Sequence, residues 1–152
     1  GDCEDSLNII NSRGDIRNIN ISDSFADGID SDFSELNIES LTVNKSGNDC
    51  LDLSSGKYKI NSVILDFCED KAISIGEKSI LNLNNGLIKN SKIGISVKDF
   101  SLLDANKLTI RNSEICLESY MKKQEFGGGK ATIKENSCDG KLIQDINSKI
   151  EL

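Results

Sequence analysis

Apolar and polar residues alternate one by one along most of this chain, and the alternating pattern returns every 22 residues. Leu36-Asn37-Ile38, Leu41-Thr42-Val43 and Ile73-Ser74-Ile75 each place two aliphatic side chains on one face and a polar one on the other. That is the period of an extended strand; a helix would need apolar residues three and four apart, which these segments lack. The segments Asp27-Gly28-Ile29-Asp30-Ser31, Asp49-Cys50-Leu51-Asp52-Leu53, Lys71-Ala72-Ile73-Ser74-Ile75, Ile93-Gly94-Ile95-Ser96-Val97 and Ile115-Cys116-Leu117-Glu118-Ser119 start 22 residues apart. Their second position is always small and their third always a large aliphatic. Ile16, Ile38 and Ile60 keep the same step, as do Ile19, Leu41 and Val63, then Ile21, Val43 and Leu65, and then Leu36, Tyr58, Ile80 and Leu102.

A unit this short cannot bury its own apolar face, so successive units must stack and pair strand to strand. The expected fold is all-β: a right-handed parallel β-helix of about six to seven coils, with three short strands per 22-residue coil. Residues 1–152 form one domain in this reading. The chain begins with Gly1 rather than Met, and neither end carries a polar or helical plug. The domain is therefore expected to come from a longer protein whose flanking domains cover its open ends.

One interval breaks the rule. Asn90-Ser91 and Asn112-Ser113 are 22 apart, but Asn136-Ser137 follows after 24. The two extra residues point to a loop around 120–129, ending in Gly127-Gly128-Gly129. Loops on one side of a solenoid often carry its binding function. There Tyr120 and Phe126 offer stacking surface, while Lys122 and Lys123 suit an acidic ligand.

Composition narrows the chemistry. The formal charge is −7, which disfavours nucleic acid as a partner. No apolar run is long enough for membrane insertion. There is no His, which removes Ser-His and Cys-His catalytic pairs and His-ligated zinc. The five cysteines include no CxxC pair, so the spacing does not read as a zinc site.

Carboxylates are the richest chemistry. Asp5, Asp27 and Asp49 occupy one column, with Asn8, Asp30 and Asp52 in another and Asp32 close by. Stacking would bring several of them within roughly 5–10 Å. Such crowding is relieved by a cation, by raised pKa values or by splaying into water. Asp27, Asp30, Asp32, Asp49 and Asp52 are the candidate calcium ligands, although no linear calcium motif is present. No other cofactor is expected.

Phe25-Ala26-Asp27-Gly28-Ile29-Asp30, Gly47-Asn48-Asp49-Cys50-Leu51 and Asp70-Lys71-Ala72-Ile73-Ser74-Ile75-Gly76 resemble the polygalacturonases, inverting glycosidases of the pectin-lyase-like β-helix class. The resemblance covers residues 22–76. It implies that Asp27 and Asp49 match the pair that activates water. The general-acid position falls on Asn48 and the histidine position on Lys71, so the standard two-group mechanism is incomplete. The resemblance also implies a Cys50–Cys68 disulfide, one residue out of step; the cysteines alone leave open that Cys50 and Cys116 merely fill the small-residue column.

Glu4-Asp5-Ser6-Leu7-Asn8, Gly76-Glu77-Lys78-Ser79 and Lys122-Lys123-Gln124-Glu125-Phe126 look like bacterial β-helix repeat domains found at the ends of longer surface or spore-coat-kinase-like polypeptides. That likeness implies an accessory module, and the expected location is extracellular or at the cell surface.

The expectation is a non-catalytic accessory module that binds a polysaccharide or a protein partner, or acts as a scaffold. Its binding residues would be Asp27, Asp30, Asp49 and Asp52 on the acidic face, with Tyr120, Lys122, Lys123 and Phe126 on the loop. The alternative is a carbohydrate-active hydrolase or lyase in which Asp27, Asp49 and Lys71 are catalytic.

Overall fold

A computed structural model of the chain describes residues 4–152. It is a parallel β-solenoid of about seven turns, all strand and turn, with no helix among the described residues. Each turn contributes one strand to each of two seven-stranded sheets. The first sheet is built of short strands: β1 (Leu7–Ile10), β3 (Ile29–Asp32), β5 (Leu51–Ser54), β7 (Lys71–Gly76), β9 (Ile93–Lys98), β11 (Ile115–Tyr120) and β13 (Lys141–Gln144). The second holds longer ones: β2 (Arg13–Ser24), β4 (Glu35–Ser46), β6 (Lys57–Cys68), β8 (Ile80–Lys89), β10 (Leu102–Arg111), β12 (Lys130–Cys138) and β14 (Lys149–Glu151).

The third face of each coil runs on from the second without ending the ladder. In β4 the inward residues are Leu36 and Ile38, then Leu41 and Val43. The step of three between Ile38 and Leu41 breaks the alternation and bends the strand, so one long strand walls two sides of the core. The pairing skips Glu39 at this bend, passing from Ile16↔Ile38 to Asn18↔Ser40.

Parallel in-register stacking turns the repeat into interior ladders. Ile29, Leu51, Ile73, Ile95 and Leu117 follow one another through the first sheet, and all are at most 1% exposed. Val43, Leu65, Ile88 and Ile110 form another ladder on the far wall. Each such side chain covers its neighbours in the coils on either side, so burial is shared along the axis.

The apolar column through Leu36 differs from the expectation. Tyr58 pairs with Leu81, and Leu81 with Leu103. Ile80 is only partly buried and Leu102 is 44% exposed. The turn after the first-sheet strand gains a residue here. Asn11, Phe33 and Ser55 each make that turn with a single left-handed residue, whereas Glu77-Lys78 and Asp99-Phe100 use two. The doublets Ile80-Leu81 and Leu102-Leu103 offer an apolar residue in either register, which hides the slip from the sequence.

The late insertion is also larger than the Asn-Ser spacing implies. Leu102 pairs with Lys130, a step of 28 residues, and Asn136 lies beside Leu108 rather than Asn112. The loop therefore adds six residues, and the corner at Asp139-Gly140 is shortened to compensate. It is a packed structure and not a loose bulge. Phe100 and Phe126 meet edge to face at 6.3 Å, Lys78 Nζ sits 5.4 Å from the Phe126 ring centre, and Lys123 pairs with Glu77. Gly127 lies against Phe100, where a Cβ would come within 2.2 Å of the ring.

Two disulfides fasten coil starts to coil ends. Cys50 joins Cys68, the pairing the polygalacturonase likeness implies, and Cys116 joins Cys138, which was not anticipated. Cys50 and Cys116 do occupy the small-residue column, but as bonded half-cystines. The register explains the second pair: Cys138 stacks on Ile110, at the inward end of its long strand. Cys3 lies outside the described residues.

Two outcomes follow. Alkylation under denaturing, non-reducing conditions should leave Cys50, Cys68, Cys116 and Cys138 unmodified by peptide mapping, and prior reduction should expose all four. Ile73→Ala, in the ladder centre, should cost roughly 2–5 kcal/mol in urea unfolding. Ile64→Ala, on an outward position 43% exposed, should cost under about 1 kcal/mol. Equal losses would contradict the register.

Candidate functional site

The acidic column begins as turn chemistry. The amide of Asp27 donates to Asp5 Oδ1 at 3.1 Å, that of Asp49 to Asp27 Oδ1 at 2.9 Å, and that of Lys71 to Asp49 Oδ1 at 3.0 Å. Each carboxylate thus receives the amide at the equivalent position one coil later. The ladder stops where Lys71 replaces the acceptor. Asn48 Nδ2 also donates to Asp27 Oδ1, at 2.7 Å.

The outward side of the first sheet carries two further columns. One runs Asn8, Asp30, Asp52, Ser74, Ser96 and Glu118. The other contains Ile10, Asp32, Ser54 and Gly76, continuing through Lys98 to Tyr120. An outward sheet face is ordinarily wet, yet Ser74 and Ser96 are 0% exposed and Lys98 is 8% exposed. Side chains lying flat on the sheet account for this. Lys98 crosses above Gly76, where a Cβ would come within 3.0 Å of Lys98 Cε, and reaches Ser74 Oγ at 2.7 Å. Lys71 enters from the corner, 3.5 Å from Asp49 Oδ1 and in contact with Asp70.

The aspartates expected from the sequence do gather on this side, with Lys71 against Asp49 and Asp30 stacked on Asp52. Tyr120 is close enough to Lys71 and Ser96 for each to bear on its ionisation. The remaining loop residues divide. Lys122 influences Lys98 electrostatically, whereas Lys123 and Phe126 are engaged in anchoring the loop to Glu77, Phe100 and Lys78. The backbone amides of Lys122 and Lys123 both donate to Asp99 Oδ1 at 2.8 Å. Lys98, Ser74 and Ser96 were missed, although the polar positions of Ile73-Ser74-Ile75 and Ile95-Ser96-Val97-Lys98 mark the same outward columns.

The electrostatics are crowded. Burial pushes Asp49 up to about 6; the Lys71 ammonium and amide oppose this, while Asp52 and Asp27 add to it. Asp30 also rises to about 6, from burial and then from repulsion by Asp32 and Asp52. Asp27 and Asp32 are raised as well, burial again leading. For Lys71, burial acts downward but Asp70 and Asp49 outweigh it, and its pKa is raised. Lys98 goes the other way: burial lowers its pKa, with Lys122 and Lys71 adding to the effect against Asp52.

The five aspartates considered for calcium do not converge. Among the described residues, no three acidic or cysteine side chains are placed to hold a metal ion, and Asp27 and Asp49 each commit an oxygen to a backbone amide. Nor is any helix there long and apolar enough to cross a membrane. No protein-family model, curated protein or solved structure matches this chain.

Asp30 and Asp49 set a pH dependence. Their folded pKa values near 6 exceed the unfolded value of about 3.9. The folded state therefore binds more protons between about pH 4 and 6, and stability falls as pH rises through that window. Asp66, Asp70, Glu77 and Asp145 are held low and act in the opposite sense, but below about pH 4. Asp49, only 4% exposed, contributes up to about 3 kcal/mol. The melting temperature should decline from pH 4.5 to 6.5, and Asp49→Asn should flatten that decline. A flat or rising wild-type profile would refute the assignment.

Proposed function

We propose that this chain is a glycan-binding β-solenoid module whose binding face is the outward side of β5, β7, β9 and β11. One observation carries the reading. Half-buried Asp52 and Tyr120 flank buried Ser74, Ser96 and Lys98 in a polar strip on a rigid sheet, rising one strand per coil. Neighbouring strands lie about 4.8 Å apart, close to the length of a sugar ring. Fixed hydroxyl, carboxylate and ammonium groups at that pitch suit a linear chain of polyols. The two disulfides fit a protein that matures in an oxidising compartment, where extracellular polysaccharides are met.

Hydrolysis of the polygalacturonase type is a poorer fit. An inverting glycosidase needs an acid and a base on opposite sides of the scissile bond. Here Asp27 and Asp49 accept backbone amides, and Asn48 donates to Asp27 without a proton to give up.

The test is a panel of neutral and acidic polysaccharides, each with and without Ca²⁺, read for binding and for release of reducing or unsaturated ends. Binding without turnover is expected, weakened at least tenfold by Asp52→Ala combined with Tyr120→Ala. Turnover would make the chain an enzyme, and no binding across the panel would discard the glycan reading.

A further inference from the structure

Lys98 is the anomaly of this face. Lys71, Lys89 and Lys123, the other lysines partly withdrawn from water, each have a carboxylate within 4.0 Å. Lys98 is more deeply buried than any of them, yet its hydrogen bond goes to a neutral hydroxyl, Ser74 Oγ. Among the described residues no carboxylate reaches salt-bridge distance of it. Asp52 is its first electrostatic counterweight and lies beyond that distance, while Lys122 and Lys71 add positive charge. One register position along from Ser74, Ser96 is 0% exposed; its Oγ makes no hydrogen bond of full geometry, and the Tyr120 phenol lies near enough to bear on it. Buried polar groups are nearly always bonded and buried charges nearly always paired. Lys98 without a carboxylate, and Asp52 Oδ1 and Ser96 Oγ without a hydrogen-bond partner, are exceptions gathered on one outward face, and the Lys98 ammonium among them calls for an acceptor carrying negative charge.

We infer that Lys98 and Ser96 form a binding site for an oxyanion, a carboxylate or a sulfate ester borne by the glycan, with Lys122 at its rim. This rests on the glycan-binding reading and gives it a specificity. The anion lies on the Tyr120 and Lys122 side of Lys98, away from Asp52, with Glu118, stacked on Ser96, as the carboxylate that bounds the site. Asp52, two coils from Ser96 and Lys98, and Asp30 and Asp32, three coils away, then face uncharged hydroxyls of the same ligand.

Matched pairs test this by calorimetry: alginate oligosaccharides against their propylene-glycol esters, and κ-carrageenan oligosaccharides against agaro-oligosaccharides. At least one acidic member should bind about 10- to 100-fold more tightly than its neutral partner. Which pair discriminates tells carboxylate from sulfate. Lys98→Met should bring the acidic member down to the affinity of the neutral one, and Ser96→Ala should do so in part. The Met variant should keep or raise the melting temperature, since it replaces an unpaired buried charge with an apolar chain of similar length. Equal binding within both pairs would overturn the oxyanion site and leave the glycan reading standing. If no glycan binds, the glycan reading falls, and the site is judged by the Lys98 Nζ titration followed by nitrogen NMR. Sulfate or acetate, at constant ionic strength against chloride, should raise its midpoint; no movement with either anion would overturn the site.

Discussion

Everything in this molecule depends on parallel strands stacking in register, so that the residue one coil away, most often 22 positions along the chain, is each strand side chain's stacking neighbour. Aliphatic residues gain from this because like shapes fill one another's gaps along an interior ladder. Ionisable residues lose, because a column of identical charges has no natural counterion. The Asp5, Asp27 and Asp49 column resolves the conflict by turning one oxygen of each carboxylate onto the amide of the next coil. A hydrogen bond from backbone to carboxylate offsets part of the repulsion. Asp30 and Asp52 stack without that relief, whereas some other columns change character before charge accumulates. Lys45 follows Asp23, and Asn37 follows Asp15.

Corners carry the remaining cost of the stack. A strand must turn sharply after each face, and the turns are made by left-handed residues that are not glycine. Asn11, Asn90, Asn112 and Asp23 accept that conformation readily; Phe33, Phe67 and Phe100 do not. The aromatic exceptions persist because the ladders on both sides fix the backbone they must join. Phe100 also gains from its edge-on contact with Phe126 and from the loop carbonyls that accept its amide. The insertion after Tyr120 is held by this corner, and it carries Lys122 to where it bears on Lys98.

How much of this could be read from the residues depended on whether a column was unique. The small-residue column Gly28, Cys50, Ala72, Gly94 and Cys116 has no competing register, and it locates the first sheet correctly. Ile80-Leu81 and Leu102-Leu103 present two apolar choices, so the slip at the Glu77-Lys78 corner leaves no trace in the pattern. Asn136-Ser137 imitates Asn112-Ser113, because both turns and exposed strand positions tolerate those residue types. The Cys116–Cys138 bond depended on that same misjudged interval. Asp30 and Asp52 were visible as candidate residues of the outward face since carboxylates in a column draw attention. Lys98 was not, because its burial arises from lying across Gly76 rather than from any feature of its own strand.

The outward face consequently has a direction. Towards the N-terminal coils it is acidic, with Asp30, Asp32 and Asp52; towards the C-terminal coils Lys98 and Lys122 stand beside Glu118. Lys98 folds back by one coil, so its ammonium lies close to the boundary between the two halves. Replacing an unpaired buried lysine with an apolar residue generally stabilises a protein, so packing alone does not account for its presence. Asp30 and Asp49 show the same signature from the other side, as carboxylates kept where ionisation is penalised. Under the proposed glycan-binding reading, the cost of Lys98 and Asp30 is offset by what the strip contacts when it is occupied. Under the proposed reading, a face acidic at one end and carrying Lys98 and Lys122 at the other would also orient an asymmetric ligand, which a uniform acidic ladder would not do.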